Sequence, residues 1–205
     1  MYYGVILNDR QSLERIGPLD GAPYKGAPKA PALYIKPANT VCAQGAAVRL
    51  PKGSPSVEVA GAIGLVMGRA AGRLTLANAL EAVSEVVLVA DLSLPHDSYY
   101  RPPIREKCFD GSLPVGPRAK IADIEALVVT TQVDGVEVER FALADLLRDP
   151  ARLLVDVTEF MTLGAGDVLL TGVHYHAPQA GRGSRVEIHA EGVGALSFSI
   201  AEGDA

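Results

Sequence analysis

Apolar residues come in short runs along this chain rather than in long helical stripes. The opening YYGVIL reads as a strand, and ALYIKPANT (Ala32–Thr40) carries an apolar run that stops at Lys36-Pro37. Between them, Gly17–Pro31 is broken up by Gly and Pro, so residues 1–31 read as a strand followed by an irregular arm. SVEVAGAIGLVMGR alternates and then becomes continuously apolar, as a strand does on entering a core; Gly61 and Gly64 leave room there for close approach. VVLVADLSL reads as a second buried strand, ending at Asp91. In the intervening LTLANALEAVS (Leu74–Ser84), Leu76, Leu80 and Val83 fall at helical spacing and predict a helix.

Further on, ALVVTTQVDGVEVERF is a hairpin signal, because Asp134-Gly135 supplies the positive φ angles of a tight turn. Asp149-Pro150 predicts a helix start, with Asp149 as N-cap and Pro150 at the first helical position, where its missing N–H is harmless. Leu153, Val157, Phe160 and Met161 would share one face of that helix, which Gly164 would end. DVLLTG, SRVEIHAEG and GALSFSI return to strand. Strands outnumber helices and are not spaced as βαβ units, which predicts a β-rich α+β fold. No repeat, low-complexity tract or linker divides the chain, so residues 1–205 are expected to form one domain.

A chain of 205 residues can bury a core without disulfides. The formal charge of −5 and the lack of a basic cluster oppose binding to nucleic acid or an anionic membrane. Cys42 and Cys108, far apart and without CxxC spacing, read as free thiols of a reducing compartment. MYYGVILNDR lacks signal-peptide character and no apolar run reaches ~18 residues, so a cytoplasmic protein with no membrane span is expected.

One stretch concentrates polar chemistry: PHDSYYRPPIREKCFDGSLPVG (Pro95–Gly116), which its prolines leave little room for regular structure. Cys108 lies beside Lys107 and near Arg105, which could lower a thiol pKa, but no His/Asp spacing points to it and a half-buried loop thiol is the simpler account. Ser98 has no GxSxG elbow, and phosphate-loop and dinucleotide glycine patterns are missing. His174 and His176 in TGVHYHAP would share a face of an extended segment and His189 follows later, yet no third ligand stands at a readable spacing; exposed loop histidines are expected.

Several pieces occur together and in order: ILNDRQSL, YKGAPKAPALYIKPANTV, VMGR, Ala90-Asp91, SLPHDSYYRPPIREKCFDGSLPVG, the VDG hairpin, GAGDVLLTG and the closing hairpin. As a set they resemble the fumarylacetoacetate hydrolase family from about Leu33 to the C-terminus, and with ILNDRQSL the likeness to one branch of it covers nearly the whole chain. The resemblance implies layered mixed sheets with a few short helices. Within the family it is to the amino-terminal half, or separate first subunit, of bifunctional enzymes of homoprotocatechuate breakdown. Those decarboxylate 5-oxopent-3-ene-1,2,5-tricarboxylate and isomerise 2-hydroxyhepta-2,4-diene-1,7-dioate.

The family implies Mg2+ or Mn2+, held by Glu-x-Glu on the strand leading to VMGR and by an Asp after the next strand, with the ion acting as a Lewis acid on a 2-oxo or 2-hydroxy acid. Counting back from Gly68 puts Ala60 and Ala62 where the glutamates belong; only Asp91 matches. The expectation is that this chain alone binds no ion, since a hard dication needs several oxygen ligands. Glu58 shares the face of Ala60 and Ala62, and a bulge could bring it nearer.

Lys107 matches the family lysine that faces the substrate oxygen, and Arg101, with Tyr100 beside it, matches a position near substrate carboxylates. Arg101, Lys107 and Asp110 could instead pair with one another and peg the loop. Thr171 and Gly172 match a substrate-side TGTP motif, while Val173 and His174 depart from it; His96 and Asp97 are candidates for a lid pair. The implied ligand is a small dicarboxylate or tricarboxylate, and the implied assembly is a homo-oligomer or a hetero-oligomer with a catalytic family subunit. Two other readings remain: a scaffold for a metal-bearing partner, and a metal-free small-acid binding module.

Overall fold

The computed structural model describes residues 1–26, 28–96 and 103–203. Strands β1 (Tyr2–Ile6), β2 (Ala32–Lys36), β3 (Val41–Ala43), β4 (Ala47–Val48), β5 (Ser56–Met67), β6 (Val83–Ser93), β7 (Leu113–Ala119), β8 (Val128–Val133), β9 (Val136–Ala142), β10 (Val168–Leu170), β11 (Gln179–Gly181), β12 (Arg185–Ala190) and β13 (Gly194–Ile200) are joined mostly by turns and loops, with a few short helices. The helices are α1 (Arg10–Ile16), α2 (Ile104–Lys107) and α3 (Pro150–Thr158). One mixed sheet runs β2-β1-β10-β5-β6-β7-β3, with β11 pairing the start of β5; the other runs β4-β13-β12-β8-β9. This is the β-rich, layered architecture expected.

The long strand β5 shows how the layers arise. Its side chains alternate, so Val57, Val59, Ile63, Leu65 and Met67 face the main core shared with Val129, Val186, Ile188 and Phe198 of the second sheet. Ala60, Ala62 and Val66 point the other way, into a smaller cluster with Val87, Val89, Leu113, Val168, Leu170 and Val173. Gly61 lets the sheets touch: a Cβ there would lie 2.8 Å from both Thr131 Oγ1 and Val129 Cγ1.

The hairpin β8–β9 turns at Asp134 and Gly135, with φ of 52° and 81°. Asp149 caps α3 by accepting from Arg152 N. Other expectations need correction. Leu74–Ser84 forms turns and a single 3-10 turn (Leu80–Ala82) instead of an α-helix, and Leu76 and Leu80 are exposed. Asn78 Oδ1 accepts from Thr75 N, and β6 begins at Val83, leaving no length for a helix.

Helix α3 ends at Thr158 rather than Gly164, because Thr158 O accepts from Arg73 N at 2.6 Å and Thr158 Oγ1 from Leu74 N; Phe160 is left exposed. Strand β6 continues past Asp91 to Ser93. Pro95–Gly116 is more regular than its prolines suggested, since it holds α2 and the start of β7. The 17–31 arm has no helix or strand among its described residues, but α1 precedes it, capped by Asp9 through Ser12 N. No helix is long and apolar enough to cross a membrane among the described residues.

Gly61→Ala is expected to lower the unfolding free energy by about 1–3 kcal/mol through overpacking. Gly181→Ala, whose Cβ meets nothing within 4 Å, should stay within about 0.5 kcal/mol of wild type. Denaturant unfolding checks both, and equal midpoints for the two variants would contradict the close sheet contact.

Candidate functional site

Asp91 sits on β6 opposite Ala60 of β5, with Ala62 opposite Val89 and Glu58 opposite Ser93, all in unbroken antiparallel register. The only irregularity in this pair lies at Val66/Met67, so no bulge carries Glu58 toward Ala60. Ala60 and Ala62 are buried and present methyl groups beside Asp91.

Around the Asp91 carboxylate the fold assembles cations. Lys107, at the end of α2, donates to Oδ2 at 3.0 Å, and the Tyr34 hydroxyl from β2 donates to the same oxygen. Lys36, the last residue of β2, places Nζ 2.6 Å from Oδ1. That contact is an ion pair rather than an aligned hydrogen bond, because Nζ also reaches the carbonyls of Lys107 at 2.6 Å, Leu92 at 2.9 Å and Ser112 at 3.0 Å. An ammonium has only three hydrogens to give. Lys36 and Asp91 are each 1 % exposed and Lys107 4 %. The Lys107 ammonium also stands 4.6 Å from the centre of the Tyr34 ring. Gly4 makes this possible, since a Cβ at that position would collide with the Tyr34 ring across β1–β2.

Burial alone would raise the Asp91 carboxyl, but Lys107 and Lys36 outweigh it and hold the group down at about 2. Burial lowers Lys36 to about 8, and its attraction to Asp91 only partly offsets that. The partners thus shift in opposing senses: the aspartate prefers its charge and the lysine resists its own. Two ammonium groups share one carboxylate, so the surplus is positive, which favours the anion and penalises each cation. The Asp91 direction follows directly from this geometry.

These donors do not fit a hard dication. The one carboxylate at the implied ligand position is already bound by two ammonium groups and a phenol, and its neighbours across the strand are methyls. Among the described residues no group of three or more His, Cys, Asp or Glu side chains is placed to hold a metal ion.

His176 and His189 are exposed as expected, but His174 is not. His174 is buried rather than exposed: Nδ1 lies 2.7 Å from Glu139 Oε1, Nε2 3.6 Å from Asp9 Oδ1, and the ring meets Phe141 edge-on. His176, half exposed, lies 3.3 Å through Nδ1 from Glu58 Oε1. His189 is exposed on β12 of the second sheet. His96 Nδ1 lies 3.1 Å from Leu94 O and 3.4 Å from Ser93 Oγ.

Thr171 is fully buried, its amide and hydroxyl both donating to Ile63 O. Gly172 follows, where a Cβ would stand 3.3 Å from Leu146 Cδ2. Asp110 accepts from Asn39 rather than pairing with Lys107. Arg101, Tyr100, Asp97 and Ser98 lie outside the described residues. Cys42 and Cys108 are free, and burial raises both thiols. Sequence reasoning brought Asp91 and Lys107 together but missed Tyr34, Lys36 and the Glu58–His176 contact. The available signal was a lysine closing an apolar strand in YIKP.

Residues 2–201 match the family described as Fumarylacetoacetate (FAA) hydrolase C-terminal. Over 98% of the chain, the sequence is 34% identical to the 4-hydroxyphenylacetate degradation bifunctional isomerase/decarboxylase of Salmonella dublin, covering 47% of that protein. The chain therefore spans about half the length of the curated relatives it matches. The structure of 5-carboxymethyl-2-hydroxymuconate delta-isomerase from Mycobacterium smegmatis is similar with a TM-score of 0.81 at 26% identity, covering 98% of this chain and 78% of that one. Fumarylpyruvate hydrolase from Pseudomonas aeruginosa, solved in complex with Mn2+ and pyruvate, shares the fold with a TM-score of 0.82 at 22% identity, covering 98% and 88%.

Removing the carboxylate should strand two buried ammonium groups, so Asp91→Ala is expected to cost about 3–5 kcal/mol in denaturant unfolding. The folded pKa of about 2 lies below the ordinary 3.8. The pair's contribution of about 2 kcal/mol is then full above pH ~4 and lost as pH falls through ~2. Stability measured across that window should fall in wild type and be flatter in Asp91→Asn; parallel curves would show that Asp91 does not drive the acid loss.

Proposed function

The chain belongs to the fumarylacetoacetate hydrolase C-terminal family, and from that membership we propose that it is a component of a bifunctional decarboxylase/isomerase that holds no divalent ion of its own. Its homologues include the 4-hydroxyphenylacetate degradation enzymes, which act on small organic acids, and a solved family structure holds Mn2+ and pyruvate. The proposed ligands are 5-oxopent-3-ene-1,2,5-tricarboxylate and 2-hydroxyhepta-2,4-diene-1,7-dioate.

One observation carries the reading: Asp91 is clamped between Lys36 and Lys107 beside Ala60 and Ala62. A dication entering here would meet one carboxylate, two like charges and two methyl groups. Metal-assisted C–C cleavage is therefore assigned to a metal-bearing family subunit that this chain joins as a hetero-oligomer. The chain contributes the sheet scaffold and a cationic wall, with Lys107 opposing anionic substrate charge. Arg101 and Tyr100 are proposed to act with it on carboxylates, and Thr171 and Gly172 to shape the substrate side. The free thiols support a cytoplasmic setting.

Calorimetric titration of the isolated chain with Mg2+ or Mn2+ should give no stoichiometric binding, and decarboxylation should appear only on mixing with a metal-bearing family subunit. Lys107→Ala should lower the activity of the mixture about 10²-fold or more. Stoichiometric ion binding with turnover by the chain alone would overturn the proposal, as would a mixture no more active than the partner.

A further inference from the structure

Glu58 and His176 take no part in the Asp91 cluster, yet they make an acid–base pair beside a surface cleft lined by His176. That cleft, about 630 Å³, lies between α1 and β9 and is lined by Gln11, Arg15, Glu139, Arg140, His174 and His176 among others. Its charges are unevenly spent. Glu139 is engaged by His174. Among the described residues the Arg15 guanidinium donates only to neutral acceptors, Tyr175 O at 3.2 Å and Gln11 Oε1 at 3.3 Å. Arg140 reaches a carboxylate, that of Glu137, only at 4.0 Å. The cleft therefore offers two guanidinium groups to an anion, and the guanidinium fork suits carboxylates.

His176 is built into this cleft in an unusual way. Its backbone has φ of 51°, a conformation that residues other than glycine rarely take and that clusters at functional positions. Its ring lies against Tyr175, centroids 3.9 Å apart, with Nδ1 toward the buried Glu58 carboxylate. With Glu58 ionised, Nδ1 carries the hydrogen and Nε2 keeps its lone pair. Nε2 has no partner among the described residues. Burial raises the Glu58 carboxyl, which the His176 contact and the more distant charges of His96 and Lys107 counter.

We propose that this cleft is a metal-independent proton-transfer site for a 2-oxo or 2-hydroxy dicarboxylate, with His176 Nε2 as the acid–base group and Glu58 as the residue that positions it. The proposal rests on the functional reading above for its ligand class, and it assigns this chain to the isomerisation rather than to bond cleavage. Nε2 removes a proton from the carbon next to the 2-oxo group. The C–H electron pair becomes the enolate C=C bond, the carbonyl π pair moves onto oxygen, and Arg15 and Arg140 hold the carboxylates. The imidazolium, facing the Glu58 carboxylate, returns the proton to the oxygen or to the far carbon of a conjugated chain. No oxidant is needed and the proton count is unchanged. Only His176 touches the reacting atoms.

The test is exchange of the C3 protons of 2-oxoglutarate for deuterium in D2O, followed by NMR with the isolated chain in EDTA. Exchange above the buffer rate is expected, reduced about 10²-fold in His176→Gln. Glu58→Gln should lower the rate and displace its pH profile, with Arg15, Arg140, Glu139 and His174 unchanged in the same cleft. Arg15→Ala should raise KM more than it lowers kcat. Thermal unfolding of each variant separates loss of the pair from loss of fold. The inference is overturned by ligand line broadening without exchange, or by a wild-type rate in His176→Gln. Neither touches the partner-mixing result, which decides the proposed function separately; absence of both broadening and exchange would remove this site while leaving that result to stand.

Discussion

A buried aspartate shared by two lysines is the interaction on which this structure turns. Taking an ammonium out of water costs several kcal/mol, and the fold meets that cost for Lys36 with three carbonyls and a carboxylate. Those carbonyls belong to β6, to the end of α2 and to the turn that starts β7. One side chain from β2 therefore fastens three segments of chain that are distant in sequence. Backbone bonds from Leu94 N to Glu106 O and from Leu92 N to Ser112 O tie the stretch from Pro103 onward to β6, and this electrostatic knot, with Lys107 pulled onto Asp91, adds the side-chain ties that hold it over the sheet.

The strand period places the knot. Because side chains on β5 and β6 alternate, every apolar residue that faces the second sheet has a neighbour on the opposite face, where β10 and β1 continue the layer. Ala60 and Ala62 fall on that opposite face with Asp91, while Val59, Gly61 and Ile63 face inward. A change at Ala60 or Ala62 therefore acts on the site and hardly on the intersheet packing, whereas Gly61, between them in sequence, acts on packing alone.

Legibility from sequence followed the range of the interactions. The β5 and β6 strands, the Asp134-Gly135 turn and the Asp149 cap rest on local pattern and were readable. The helix expected over 74–84 failed because Asn78 closes a local turn and the strand after it starts at Val83, so spacing without length was misleading. His174 read as a loop histidine because its partners, Asp9 and Glu139, are distant from it in sequence. Lys36 read only as a strand terminator, since nothing in its neighbourhood predicts that Leu92, Lys107 and Ser112 would turn their carbonyls to it. The pieces were local; the site is made of long-range contacts.

Charge balance explains how such a site can lose its acidic pair without losing its fold. The ligand set implied by the family, three carboxylates around a dication, carries one net negative charge. A lone aspartate carries the same. From the position of Lys36 and Lys107, losing two glutamates together with the ion leaves the opposing charge unchanged, whereas losing the glutamates alone would leave three cations around one anion, and losing the ion alone would crowd carboxylates together. On the proposed reading, the exchange of Glu-x-Glu for Ala60 and Ala62 is thus a neutral step for the lysine knot. It empties the site of metal chemistry while the buried charges that hold β2, β6 and α2 together stay balanced, and any remaining chemistry must come from groups outside the knot.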